Sequence, residues 1–203
     1  MTIFRSPILV LDVESTGLLS DPLARPIDLG AVVLDVDGTE IASFSTLIRP
    51  TTWGDGAEKS AKIHGITFDM VKDAPKPAEV CADFRTWREV HGVTWATAFN
   101  VAFDRPMTER MGISLRWAPC IMLRAMDLMG LAGALRPADP GHPRYEEGRP
   151  WLFPPLSPRP EADRRGQSAC EFFGVEPVTP AHRALSDATT AARVLVEVVR
   201  RAR

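Results

Sequence analysis

The chain has 203 residues, 45% of them hydrophobic and 25% charged, an ordinary globular composition that excludes global disorder and allows a substantial core. Its net charge of −2 excludes a protein that coats long duplex nucleic acid through many phosphate contacts, while leaving room for one that grips a few nucleotides. No apolar run approaches the roughly 20 residues of a membrane span and no signal-peptide pattern opens the chain, so a cytoplasmic protein with no membrane partner is expected.

Residues 8–13 (ILVLDV) form an apolar run that ends in carboxylates and then Ser15-Thr16-Gly17, which predicts a buried strand presenting Asp12 and Glu14 at its C-terminal end. Gly30 to Val36 and Glu40 to Ile48 read as a hairpin with Asp37-Gly38 as its turn. Val80, Phe84 and Trp87 recur at helical spacing from Pro77 to His91, after Pro75 and Pro77, which a helix start tolerates. Trp95 to Phe99 predicts a strand, followed by a helix carrying Asp104. Pro106 should distort the first turn of that helix, because it removes a backbone donor and clashes one turn back.

Between Leu135 and Pro160 lie eight of the 18 prolines without periodicity, so an irregular insertion is expected at about 131–165. Regular structure resumes near Gln167 to Gly174, and an amphipathic helix from about Ser186, its N-cap, to Arg201 closes the chain. This order predicts one α/β layered domain over residues 1–203, with a mixed sheet flanked by helices. Cys81, Cys120 and Cys170 are far apart and odd in number, which indicates neither a disulfide framework nor a zinc site.

Three local patterns carry chemistry: Asp12-Val13-Glu14 at a strand end, Asn100-x-x-Phe103-Asp104 after a strand, and His182-x-Ala184-x-x-Asp187 at the last helix. Residues two apart on a strand share a face, so Asp12 and Glu14 can reach one cation together. Singly, each acid has an ordinary reading as a strand-end charge, a helix cap or a first-turn acid favoured by the dipole. Their apolar surroundings weigh against it: carboxylates beside a core need a partner, and a cation is an economical one. Of the four histidines, only His182 stands five residues from a candidate ligand, and an imidazole with an ordinary pKa near 6.5 can take a proton from water at neutral pH. His91 and His142 default to structural or solvated roles.

Together, Asp12-Val13-Glu14-Ser15-Thr16-Gly17-Leu18, Ile63-His64-Gly65-Ile66-Thr67, Phe99-Asn100-x-x-Phe103-Asp104 and His182-Arg183-Ala184-Leu185-Ser186-Asp187-Ala188 resemble the successive motifs of the DEDDh exonucleases. That group includes the proofreading subunits of bacterial DNA polymerase III, ribonuclease T and oligoribonuclease. The resemblance runs from residue 8 to 199. It implies a ribonuclease H-like fold and 3'-to-5' hydrolysis of single-stranded DNA or RNA to nucleoside 5'-monophosphates. It also implies two divalent cations, Mg²⁺ or Mn²⁺, one on Asp12, Glu14 and Asp187 and the other on Asp12 with Asp104 nearby. Such a pair, about 3.5 to 4 Å apart, would stabilise the attacking and leaving oxygens. By the same resemblance His182 is the general base. Ser15, Thr16, Leu18, His64 and Asn100 contact the substrate, and the partners are a nucleic-acid 3' end and a DNA polymerase or another replication or repair protein. For His64 a structural role is equally open, at the end of a short helix closed by Gly65. Val13 and Ser15 stand where the family has threonines, and the 131–165 stretch has no counterpart.

Two rivals remain. Ala31 to Thr39 resembles the nucleophile motif of haloacid-dehalogenase-type phosphatases, with Asp35 and Asp37 as its acids, but the downstream lysine and acidic pair are not evident and a hairpin turn explains the residues with less. A catalytically inactive nucleic-acid-binding module of the same fold would be suggested by a missing ligand or base, and all five residues are present.

Overall fold

The computed structural model describes residues 2–131, 154–158 and 167–202, so most of the expected insertion lies outside the described residues. Strands β1 (Ile8–Ser15), β2 (Pro26–Leu34) and β3 (Glu40–Leu47) form an antiparallel meander. Strand β4 (Trp95–Thr97) lies parallel to β1, and β5 (Arg116–Trp117) parallel to β4. The sheet is therefore mixed, as expected, with the order β3-β2-β1-β4-β5.

β1 is apolar on both sides because helices cover both sheet faces. Leu9, Leu11 and Val13 pack with Val80 and Phe84 of α3 (Pro77–Val90) and Met107 of α4 (Val101–Met111). Val10 faces the other way, toward Ile121 and Ala125 of α5 (Ile121–Leu128), Phe173 of α6 (Ala169–Phe173) and Ala191 and Val194 of α7 (Ala184–Arg201). Strand periodicity then puts Asp12 and Glu14 on the Val10 face, under the start of α7. Gly30, the register partner of Asp12, lets α7 come that close. A Cβ there would lie 2.1 Å from the Leu185 nitrogen and 2.2 Å from the Ala184 carbonyl carbon.

Several boundaries differ from the sequence reading. β2 begins at Pro26, four residues before Gly30, because the acid that interrupts its apolar pattern, Asp28, is itself buried. The hairpin turn is wider than Asp37-Gly38: the Asp35 N–H donates to the Thr39 carbonyl at 2.8 Å, and Gly38 takes φ +87°, a conformation glycine adopts at low cost. α1 (Asp55–His64) ends at Gly65 with φ +72°, as a helix closed by that glycine should. α2 (Phe68–Val71), β5 and α5 were not read from the sequence.

The α4 helix runs through Pro106 to Met111. In its first turn the Asn100 carbonyl accepts from both the Phe103 and the Asp104 N–H, and the hydrogen bond Pro106 cannot donate falls opposite the exposed Ala102. Ser186 is not the N-cap of α7. The helix starts two residues earlier, at Ala184, whose N–H is taken by a side chain from β2.

Candidate active site

β4 stops opposite Val10, which leaves the backbone of β1 beyond it without a strand partner on that side. Asp104 fills the gap: its Oδ1 accepts the Val13 N–H at 3.2 Å, fixing a carboxylate from α4 between Asp12 and Glu14. Asp104 is 2% exposed. Asp187, in the first turn of α7, enters from above, with Oδ2 accepting the His182 N–H at 3.1 Å. Strand β1, helix α4 and helix α7 thus bring together the four acids singled out in the sequence.

All four carboxyls are held above their ordinary range, first of all by burial. Burial, followed by repulsion from Asp104, Glu14, Asp187 and Asp28, holds the Asp12 carboxyl well above its ordinary range. Burial, with repulsion from Asp187, Asp28 and Asp104, pushes Glu14 up to about 8. Asp104 is also pushed up to about 8, mainly by burial, although the Val13 N–H opposes the shift. Asp187 is raised by burial, against the pull of His182. A cation reverses this logic by favouring the charged form of every acid. The donors are hard oxygens, which suit Mg²⁺ or Mn²⁺. Glu14, His182 and Asp187 each offer a ligand atom, all within 4.8 Å of one another.

His182 has φ +58°, in the left-handed region that side chains with a Cβ seldom occupy. Its Nδ1 lies 4.0 Å from Asp187 Oδ2, and the ring is exposed. The next two residues are tied to β2: Asp28 Oδ2 accepts from Arg183 Nε at 3.0 Å and from the Ala184 N–H at 3.3 Å. Neither Asp28 nor Arg183 stood out in the sequence. The available signal was a lone acid inside the apolar stretch from Ile27 to Leu34.

The expected substrate contacts separate into two kinds. Ser15 and Thr16 are buried and shape the turn after β1: Ser15 Oγ donates to the Gly17 carbonyl at 2.7 Å, and Thr16 Oγ1 accepts the Arg25 N–H at 2.9 Å. Leu18, at the tip, is 72% exposed. Arg110 of α4, also missed, ties this loop down through the carbonyls of Leu19, Asp21 and Ala24. His64 is buried, and both ring nitrogens are engaged by backbone: Nδ1 accepts the Ile66 N–H at 3.0 Å, which leaves Nε2 to donate to the Ser15 carbonyl at 3.2 Å. Its observed contacts are therefore the structural ones. Burial lowers its pKa, which favours this neutral form. Asn100, with Phe99, Leu156, His182 and Asp187, lines a cleft of about 240 Å³ beside the acids.

Asp35 and Asp37 sit elsewhere. β1 pairs Ile8 with Leu34 at one end and Glu14 with Asp28 at the other, so the hairpin turn lies about 20 Å along the sheet from the acid cluster. Asp35 Oδ1 accepts the Val36 N–H and Asp37 Oδ1 the Thr39 N–H, which is turn chemistry and gives no support to a phosphatase nucleophile.

Residues 9–195 match the model of a family described as exonuclease, RNase_T. The chain is 41% identical over 95 residues to the DNA polymerase III subunit epsilon of Treponema pallidum, covering 46% of this chain and 40% of that protein. It is 30% identical over 195 residues to the PolC-type DNA polymerase III of Bacillus subtilis, covering 94% of this chain and 11% of that one. Among solved structures, exonuclease X in complex with 5' overhanging duplex DNA superposes with a TM-score of 0.59 at 20% identity, covering 96% of this chain and 92% of that one. The likeness in fold agrees with the ribonuclease H-like arrangement expected from the motifs. The chain spans well under half the length of either polymerase relative.

Proposed function

Because the chain belongs to the exonuclease family, a DEDDh-type group by its motifs, we propose that it removes nucleotides hydrolytically from the 3' end of single-stranded DNA or RNA. The observation that carries this reading is the convergence of Asp12, Glu14, Asp104 and Asp187 from three separate elements, with every carboxyl held above its ordinary range by burial and, for Asp12, Glu14 and Asp104, by the neighbouring acids as well. Such a cluster is costly without a positive charge and suits the divalent cations on which this family relies. Asp12, Glu14 and Asp187 would hold one Mg²⁺ or Mn²⁺ and Asp12, near Asp104, a second. Bound there, the cations supply Lewis-acid stabilisation of the charge that builds on the phosphoryl oxygens.

The chain's own residues supply the rest. Asn100, in the cleft that Asp187 also lines, and the exposed Leu18 of the turn after β1 would seat the terminal nucleotide, and Ser15 and Thr16 would contribute the backbone of their turn. His64 holds that turn through the Ser15 carbonyl. His182 would accept the proton of the attacking water. The water oxygen bonds to phosphorus, the bond from phosphorus to the preceding 3' oxygen breaks, that oxygen takes a proton from solvent, and a nucleoside 5'-monophosphate leaves. Residues 1–203 would act as one exonuclease domain, working beside a DNA polymerase or another replication or repair protein. A binding module without catalysis would be expected to lack one of the five residues, and none is missing.

A ring nitrogen of His182 lies within 4.8 Å of carboxylate oxygens of Glu14 and Asp187, close enough to share a cation with them, so its role as base rather than ligand is the step to test. His182→Ala should lower kcat by about 10² to 10⁴ with little change in KM, because a positioned base acts in the chemical step. The Mn²⁺ concentration for half-maximal activity should stay put. A large rise in that concentration would make His182 a ligand, and an unaltered kcat would remove it from the reaction.

A further inference from the structure

We propose that Asp28 is a positioning residue for this reaction: from β2 it clamps Arg183 and Ala184 and so fixes where the preceding residue, His182, stands beside Glu14 and Asp187. The inference rests on the reading of His182 as base given above.

Asp28 pairs with Glu14 across the β1–β2 ladder and is 1% exposed. One oxygen, Oδ2, receives a donor from each of the two residues that follow His182, and the other, Oδ1, is buried with no hydrogen-bond partner among the described residues. Leaving a buried acceptor unpaired is costly, more so when it is charged. A position that only had to seal the sheet against α7 would be better filled by an apolar residue, like its neighbours Ile27 and Leu29.

Sealing is already accomplished nearby. Two residues along the same strand face, Gly30 meets the Ala184 and Leu185 backbone directly, and Ala184, Ala188 and Ala191 bury the helix against the sheet. Asp28 adds a directional hold on the two residues next to the imidazole. His182 is consequently gripped from both sides, its own N–H by Asp187 and the following residues by Asp28. This grip explains how a residue with a Cβ stays at φ +58°. Such conformations are strained and persist only where the surroundings over-determine them. Without the Asp28 bonds the backbone at residues 182–184 can relax, and the ring moves with it.

The test uses the full chain with Mn²⁺ and a short single-stranded oligonucleotide, and compares Asp28→Ala, Asp28→Asn, Arg183→Ala and His182→Ala, with Asp28→Ala also combined with His182→Ala. Amide hydrogen exchange at Ala184 reads the clamp without turnover, and melting temperatures report folding. Asp28→Ala should speed Ala184 exchange and lower kcat about 10- to 100-fold with KM changed by less than about twofold. Asp28→Asn, which keeps an acceptor oxygen, should recover part of the loss. In the His182→Ala background Asp28→Ala should cost little more, since it acts through the ring. If Asp28→Ala does not fold, Arg183→Ala removes one of the same bonds from the half-exposed side and should lower kcat in the same sense. An equal cost of Asp28→Ala with and without His182, or an unchanged kcat in folded Asp28→Ala or Arg183→Ala, overturns the proposal. A wild-type protein that releases no mononucleotide overturns the hydrolytic reading itself, a different failure, which leaves the Ala184 exchange result intact.

Discussion

At the scale of single residues, the four acids differ from surface carboxylates in what surrounds them. Asp12 shares repulsion with all three other cluster members and is the proposed bridging ligand. Asp12→Ala should nearly abolish nucleotide release and weaken cation binding, whereas Asp37→Asn, at an exposed turn, should leave both largely intact. Turnover and cation titrations on folded protein check this, and equal damage from Asp37→Asn would mean the wrong acids had been chosen. The raised carboxyls also set a pH dependence. Glu14 and Asp104 keep their protons up to about 8 in the folded chain but release them near 4.5 and 3.8 once unfolded. Across that window the folded state binds more protons, so without a divalent cation stability should fall as pH rises from about 5 to 8. Mn²⁺ should lift the melting temperature most at the upper end. A cation-free melting curve that rises across the window would contradict the shifts.

The same residues show what a sequence can reveal at this scale. Asp12, Glu14, Asp104, His182 and Asp187 were legible because each sits in a short ordered pattern, and the fold brings them together. Asp28 was not, because its importance comes from Arg183, 155 positions away, and no local pattern records that contact. Likewise the role seen for His64 depends on the Ser15 carbonyl, 49 positions away.

At the scale of elements, β1 follows from its apolar run and α3 and α7 from helical periodicity, since each buries one face or both. β5 is two residues long and α2 four, too short for any period to show. The start of α7 was misplaced because its first N–H is satisfied by β2 instead of a local Ser186 cap. That dependence of α7 on β2 yields a prediction. Gly30→Ala puts a methyl against the Ala184 and Leu185 backbone, which cannot swing aside as a side chain would. Chemical denaturation should show a loss of about 1 to 3 kcal/mol or more, as for overpacking in a filled core. A stability equal to wild type would mean that α7 sits farther from the sheet than described.

At the scale of the whole molecule, the function lies in the meeting of three elements at one end of a mixed sheet. β1 supplies Asp12 and Glu14, α4 supplies Asp104, and α7 supplies Asp187 and, just before it, His182. No helix among the described residues is long and apolar enough to cross a membrane. The overall charge of −2 and a cluster of acids offer a phosphate chain little attraction at the site until cations arrive, so substrate affinity should depend on them. The central claim, a cation-dependent attack that starts at a 3' end, is tested most directly by following a 5'-labelled single-stranded oligonucleotide with and without Mn²⁺. The expected result is a ladder that shortens from the 3' end one nucleotide at a time, with nucleoside 5'-monophosphates released, lost on chelation and in Asp12→Ala. Immediate release of the 5' label, internal cuts, or an equal rate in Asp12→Ala would contradict it.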